Sequence, residues 1–243
     1  MPEAAFLVFV GALAGGTVSG LTGFGTGLVT LPIWLLAIAP VHAAPLVVIC
    51  SVVAQLQTLP AIWHAIDRRR LMPFLLGGAV GVPIGTRLLP LVSLAVFKAG
   101  LGVLLVLVCG SLLLARNRPR FAQAGRWADA AVGFGGGLLG GLAGLSGPLP
   151  TLWAGLRGWG KDQRRAVFQS FNLGVLLLAG ISMALAGLMT PEVARLAAAA
   201  LPGTLIGAWS GRRLYGRLDL ARFDRIVLVV LAAAGVAMIL SAR

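Results

Sequence analysis

Apolar residues dominate this chain in long runs, and polar residues fall mostly between the runs. From Ala4 to Ile66 there is no Asp, Glu, Lys or Arg. Because a transmembrane helix needs about 20 apolar residues, this run alone is long enough for about three crossings. Further charge-poor stretches cover residues 71–95, 97–115, 130–156, 166–189, 193–211 and 226–242. The pattern predicts an all-α integral membrane protein with about eight to ten membrane segments.

The stretch GLTGFGTG, residues 20–27, places four glycines inside the first apolar run. Glycine disfavours a helix, so the helix is expected to break there. Backbone that is not helical at membrane depth is tolerated only where it is buried in protein or lines a cavity. A similar stretch, GLSGPLP, occupies residues 144–150. Both stretches are therefore predicted to face a cavity.

The two halves of the chain resemble each other. The tract from Gly20, GLTGFGTGLVTLP, matches GLAGLSGPLPTLW from Gly141, and GGAVGVPIGTRL from Gly77 matches PGTLIGAWSGRRL from Pro202. Each half is interpreted as a glycine-broken segment followed by three ordinary helices. The predicted organisation is a first repeat at residues 1–115, a cytoplasmic linker at 116–127 and a second repeat at 128–243. The repeated GxxxGxxxG spacing is typical of closely packed membrane helices.

Charge determines the predicted topology. The formal net charge is +13, but the basic residues form short clusters between apolar spans, which is typical of topology signals and gives no reason to expect nucleic acid as a partner. Sixteen of the 20 Lys and Arg lie in four clusters, at residues 68–70, 116–126, 157–165 and 212–225.

If each broken segment crossed the membrane once, these clusters would fall two on each side. If each is a hairpin that enters and leaves on one side, all four clusters share one face, as the positive-inside rule requires. The hairpin interpretation therefore predicts two halves inverted relative to each other, with both termini outside.

Inverted repeats with broken helices are the architecture of secondary transporters. The helices predicted to begin near Gly27 and Pro148 would present unbonded N–H groups and the positive ends of their dipoles. Both features favour an anion, and glycines allow it to approach the backbone closely. We therefore expect a small anion to bind near the bilayer midplane, between the two glycine-rich tips.

The motifs resemble those of the TauE/SafE sulfite exporter family. The resemblance is carried by the G-x-G-x-G-x-x-x-x-P pattern of residues 23–32, by its echo GLSGPLP and by the GxxxGxxxGxRL tract in both halves, and it covers essentially the whole chain. It implies transport, often export, of sulfite, sulfonates such as sulfoacetate, or other small organic anions across the bacterial inner membrane, with proton coupling suspected.

Polar residues inside the spans complete the predicted site. Threonine and serine hydroxyls at the tips can donate to an anion, or alternatively to the preceding helical turn. Gln55 and Asn172 either contact the solute or bridge helices. Arg87 either binds a sulfonate or reaches the headgroups. The predicted substrate-binding residues are Gly23, Gly25, Thr26, Gly27, Thr30, Gln55, Arg87, Gly144, Ser146, Gly147, Thr151 and Asn172.

The same sequence features leave two other functions open. A passive anion channel could use the same tips. An intramembrane serine protease is a remote alternative, because residues 144–147 read GxSG. This motif resembles the nucleophile motif of the rhomboid proteases, which place their catalytic His after the serine. A serine nucleophile needs such a base to take up its proton. In this chain both histidines, His42 and His64, precede Ser146. The chain is therefore not expected to be an enzyme.

No cofactor or metal site is expected, because Cys50 and Cys109 both fall inside apolar spans. No Asp or Glu lies deep in a predicted span, so a carboxylate relay for protons has no support. Protons could instead travel on the weak-acid substrate. The expected partners are a small anion and the bilayer, and the oligomeric state is left open between a monomer and a homodimer.

Overall fold

A computed structural model describes residues 2–34, 37–88, 93–114, 121, 124–217 and 219–242. These residues form ten α-helices and two short 3-10 turns, with no strand among them. The helices are α1 (Pro2–Thr22), α2 (Thr26–Trp34), α3 (Pro40–Thr58), α4 (Arg68–Leu88), α5 (Leu94–Leu114), α6 (Arg126–Ala143), α7 (Pro148–Leu156), α8 (Lys161–Leu185), α9 (Pro191–Tyr215) and α10 (Leu220–Leu240). The predicted all-α fold is confirmed.

Several of these helices are long and apolar enough to cross a membrane. In the described part of the chain there are five such spans, Ala5–Thr22, His42–Ala61, Arg68–Leu88, Asp162–Leu185 and Pro191–Tyr215. Arg225–Leu240 forms a shorter apolar helix. The chain is a multi-pass membrane protein, as the hydropathy pattern predicts.

Each glycine-rich segment is a hairpin of one long and one short helix. Helix α2 folds back along α1, so that the Trp34 indole N–H donates a hydrogen bond to the Val8 carbonyl (3.0 Å). Helix α7 folds back along α6, so that the Trp153 indole N–H donates to Asp129 Oδ1 (2.7 Å). The short helices have nine residues each. At about 13 Å they are roughly half as long as the hydrocarbon core is thick.

The GxxxGxxxG tracts mediate close helix packing, as the sequence predicts. A Cβ atom on Gly81 of α4 would lie 2.3 Å from the Phe134 carbonyl oxygen of α6, and one on Gly207 of α9 would lie 2.3 Å from the Leu13 oxygen of α1. Successive glycines meet successive turns of the neighbour in the same order. Helices α1 and α9 therefore run parallel, and so do α4 and α6.

The helices of the two halves exchange partners. Helix α1 of the first half packs on α9, and α6 of the second half packs on α4. At the centre α3 and α8 cross with opposite directions, because Thr58 lies beside Gln169 while Val48 lies beside Gly180. Helix α5 packs on α10. This reciprocal packing brings both hairpins to the centre of the bundle. The inversion of two homologous halves across the bilayer, with boundaries at 1–115 and 128–243, stays a prediction.

Most of the predicted linker, 116–127, lies outside the described residues. Its described part is held against the end of α7. The Phe121 N–H donates to the Leu156 carbonyl (2.8 Å), and the Arg157 guanidinium donates to the carbonyls of Phe121 (2.8 Å) and Ala124 (2.6 Å).

Candidate functional site

The first hairpin turns at Gly23 and Gly25, which have φ angles of 84° and 94°. These left-handed conformations favour glycine, so the turn depends on both residues. The Thr22 hydroxyl donates to the Phe24 carbonyl (2.8 Å) and so holds the turn from inside. Helix α2 then begins at Thr26.

The second hairpin turns at Gly144, whose φ angle is 68°. Its N–H bonds back to the Gly140 carbonyl (2.8 Å) and ends α6 as a left-handed cap does. The Ser146 hydroxyl donates to the Asn172 amide oxygen of α8. Helix α7 begins directly afterwards, with Pro148 as its first residue.

The two tips touch each other. Phe24 of the first tip packs against Gly147 of the second so closely that a Cβ on Gly147 would lie 2.9 Å from the Phe24 side chain. In the other direction, a Cβ on Gly27 would lie 3.4 Å from Leu145. The N-terminal ends of α2 and α7 therefore converge, as the two glycine-rich motifs predict.

A small cavity lies where the tips meet, with a volume of about 10 Å³. That is about the smallest space that holds one water molecule. Helices α3 and α8 close its sides. The lining consists of Gly25, Thr26, Gly27, Leu28, Ser51, Gly144, Leu145, Gly147, Pro148, Asn172 and Leu176. Ser51 and Asn172 have the same separation in sequence as Gly23 and Gly144, so they occupy equivalent places in the two halves.

The lining of this cavity is polar but carries no charged side chain. The Thr26 hydroxyl is buried and has no hydrogen-bond partner among the described residues. The first-turn N–H groups of α2 also lack partners within their helix. The contribution of α7 is smaller, because Pro148 and Pro150 have no N–H. The arrangement offers donors and two positive dipole ends, which is an environment suited to a small anion.

Other predicted site residues surround the cavity without lining it. The Gln55 side-chain N–H donates to the Gly23 carbonyl (3.1 Å), while its Oε1 has no partner among the described residues. Gln55 thus holds the first tip, the bridging role that the sequence left open. The Thr30 hydroxyl donates to the Thr26 carbonyl (2.9 Å), the alternative bond within its own helix. Thr151 is buried without a partner among the described residues.

Arg87 is separate from this group. It lies in the last turn of α4, is exposed, and does not line the cavity. Contact between the substrate and any of these residues stays a prediction.

Sequence reasoning missed Arg165, which it counted only as part of a basic cluster. Arg165 lies in the second turn of α8 and is 1% exposed. Its guanidinium donates to the carbonyls of Gly20 (2.6 Å) and Leu21 (3.2 Å), at the end of α1, and lies 3.9 Å from the centre of the Tyr215 ring. A cation beside the last carbonyls of a helix complements the negative end of its dipole.

A chain of polar side chains connects Arg165 to the first tip. The Arg165 Nε–H donates to Gln169 Oε1 (3.1 Å), and Gln169 donates to the Thr58 hydroxyl (2.6 Å). Gln55, one turn before Thr58, then holds Gly23. Helices α8 and α3 are therefore both tied to the first glycine turn.

The serine of the GxSG motif makes a structural hydrogen bond in place of a bond to a catalytic base. The Ser146 hydroxyl donates to an amide oxygen of Asn172, which is not a base that could take up its proton. Among the described residues no group of three or more His, Cys, Asp or Glu side chains could hold a metal ion.

Comparison with known proteins identifies the family. No curated protein and no solved structure matches the chain. A family model described as Sulfite exporter TauE/SafE matches residues 7–238, which include both hairpins and nearly all of the helices around them. This family implies a membrane transporter of sulfite or related anions. The chain therefore belongs to the TauE/SafE sulfite exporter family.

Proposed function

We propose that this protein exports sulfite or a small organosulfonate such as sulfoacetate across the bacterial inner membrane. The substrate anion binds between the two hairpin tips, where the first turn of α2 faces the first turn of α7. The observation that carries this proposal is the convergence of two half-helix N-termini on a cavity with the unpartnered Thr26 hydroxyl and no charged side chain in its lining.

The chemistry of the lining supports an anion. A carboxylate in this place would repel the substrate, and the lining contains none. Main-chain N–H groups and hydroxyls bind oxyanion oxygens in many helix N-terminal sites. The oxygens of sulfite or of a sulfonate group can accept several such bonds at once.

The size of the cavity supports alternating access. A volume of about 10 Å³ is too small for sulfite, so the tips must separate for the anion to enter. The two hairpins meet through small contacts, Phe24 on Gly147 and Leu145 near Gly27. Movement of one hairpin relative to the other opens the site to one side at a time, as rigid-body movement of repeats does in other transporters.

The remaining features of the proposal follow from charge. Both termini lie outside, and the four basic clusters lie in the cytoplasm. Protons move as part of the substrate, as hydrogen sulfite, because the cavity has no carboxylate to carry them.

Counterflow in proteoliposomes tests the proposal. Vesicles loaded with unlabelled sulfite are diluted into labelled sulfite, under conditions that prevent oxidation of sulfite. A carrier accumulates the label transiently above its external concentration, because each exit of unlabelled anion returns the site for labelled entry. With the membrane potential held at zero by valinomycin and equal potassium concentrations on the two sides, a channel equilibrates the label without this overshoot. Equilibration without overshoot contradicts the carrier mechanism. Identical traces with protein-free vesicles contradict the proposed substrate.

A further inference from the structure

A second cavity lies far from the tips, between the first turns of α4 and α6. Its volume is about 550 Å³. It is lined by Arg68, Arg69, Met72, Pro73, Leu76, Arg126, Trp127 and Ala130. We call it the basic groove. None of these residues belongs to the proposed transport site.

The arginines of the basic groove carry uncompensated charge. Arg68, Arg69 and Arg126 are exposed, and their side chains have no ion pair or hydrogen bond with another described residue. The acidic residues nearby are already engaged. Asp67 pairs with Arg70 (3.1 Å). Asp129 is buried, pairs with Arg157 (3.3 Å) and accepts the Trp153 indole bond.

The rest of the groove is apolar and exposed. Met72 is 47% exposed, Leu76 62% and Trp127 89%. Met72 and Leu76 lie one turn apart on α4, one of the apolar spans, so this wall faces the hydrocarbon of the bilayer. An exposed indole near the end of a membrane helix is typical of the headgroup region.

The direction of the helices puts the charges together. Arg68 is the first residue of α4 and Arg126 the first of α6, and these two helices run parallel. Three guanidinium groups and two positive helix ends therefore gather around the groove, within about one helical turn of one another. The apolar wall continues from these charges toward the bilayer centre.

We propose that the basic groove binds one anionic phospholipid, with its phosphate among Arg68, Arg69 and Arg126 and an acyl chain along Met72 and Leu76. The charge and the apolar wall fit a ligand with an anionic head and a hydrocarbon tail. Basic pockets between membrane helices are known to take such lipids. This proposal is independent of the substrate that the transporter carries.

Native mass spectrometry of the purified full-length protein tests the proposal. The protein in detergent is titrated with dioleoylphosphatidylglycerol, with dioleoylphosphatidylcholine, and with glycerol phosphate. We expect one phosphatidylglycerol to be retained at concentrations about tenfold or more below those needed for phosphatidylcholine, because three arginines face the phosphate without competing acids. Equal retention of the two lipids overturns the proposal.

Charge variants locate the site. The triple variant Arg68→Gln, Arg69→Gln and Arg126→Gln should lose the preference for phosphatidylglycerol. A matched triple, Arg213→Gln, Arg217→Gln and Arg225→Gln, removes the same charge from other exposed arginines and should keep it. If the first triple is not monodisperse, Arg126→Gln alone should weaken retention severalfold. If both triple variants lose the preference for phosphatidylglycerol equally, the preference comes from general surface charge and the proposal is overturned. The proposal is also overturned if glycerol phosphate displaces bound phosphatidylglycerol at the same concentration as added phosphatidylglycerol does.

Discussion

Arg165 of α8 lies within hydrogen-bond distance of a helix end that is far away in sequence: its Nη2 is 2.6 Å from the carbonyl oxygen of Gly20. Gly20 belongs to the last turn of α1, directly before the glycine turn. The guanidinium also reaches the Leu21 carbonyl (3.2 Å). One buried cation thus satisfies carbonyls that the break in the helix leaves without N–H partners.

Substitution of Arg165 should therefore lower the stability of the protein. Arg165→Met leaves buried carbonyls unsatisfied, so we expect the free energy of unfolding to fall by about 2 kcal/mol or more. Arg165→Lys keeps the charge but loses the planar fork, and it should fall between wild type and Arg165→Met. The midpoint of thermal unfolding, followed by tryptophan fluorescence, ranks wild type, Arg165→Lys and Arg165→Met by stability.

The control for this series is Arg213→Met. Arg213 is exposed and stacks on Trp209 at 3.8 Å, so its loss should leave the midpoint close to wild type. Equal midpoints for Arg165→Met and wild type would show that the contact with Gly20 does not stabilise the first tip.

The sequence predicted the helix breaks because their signal is local. Gly23, Gly25 and Gly144 can be read directly from the sequence. Glycine destabilises a helix wherever it occurs, and broken backbone at membrane depth must be buried in protein or line a cavity. The packing glycines of α4 and α9 were equally visible, since their spacing follows the helical repeat.

The contact partners could not be predicted in the same way. Arg165 sits beside Arg164 in a basic cluster, and nothing in the cluster distinguishes a buried arginine from a solvated one. Its burial depends on where α1 ends and on Tyr215 of α9, both distant in sequence. The contact of Phe24 with Gly147 likewise arises only when the two hairpins pack together.

The packing glycines give a test of the fold that is independent of transport. In Gly81→Ala the new methyl group would lie 2.3 Å from the Phe134 carbonyl, so α4 and α6 must move apart. We expect a loss of about 1–3 kcal/mol in stability, measured as a lower thermal midpoint. Gly110→Ala on α5 is the matched control, because a Cβ there meets nothing within 4 Å, and alanine favours a helix. A midpoint for Gly81→Ala at or above that of Gly110→Ala would contradict the close packing.

Labelling of single cysteines tests the topology. The native Cys50 and Cys109 are buried. Gly160→Cys lies just before α8, and Ala186→Cys lies just after it, both at exposed positions. A membrane-impermeant maleimide added to intact cells should label Ala186→Cys and also Ser241→Cys, because the positive-inside rule places these ends outside. Gly160→Cys should react only after the membrane is permeabilised. The reverse pattern would show that the protein has the opposite orientation. Labelling of all three sites from one side would exclude the proposed topology.

The hydroxyl of Thr26 provides the sharpest test of the site, because stability and transport should respond in opposite directions. Thr26 is 2% exposed and lines the cavity between the tips, yet its Oγ1 has no hydrogen-bond partner among the described residues. Thr26→Val replaces the hydroxyl with a methyl group of similar shape. Since a buried unpartnered hydroxyl is unfavourable, the thermal midpoint should stay equal or rise slightly.

Transport by Thr26→Val should nevertheless fall, by about tenfold or more in sulfite counterflow, because one hydrogen bond to a charged ligand is lost. Thr26→Ser keeps the hydroxyl and should retain most of the activity. The matched control is Thr204→Val, which changes another buried threonine, whose hydroxyl donates to its own helix at Ala200 (3.2 Å) and does not line the cavity. Thr204→Val should transport like wild type. If Thr26→Val also transports like wild type while its midpoint rises, the hydroxyl does not contact the anion, and the site must be sought among the main-chain N–H groups of α2 alone.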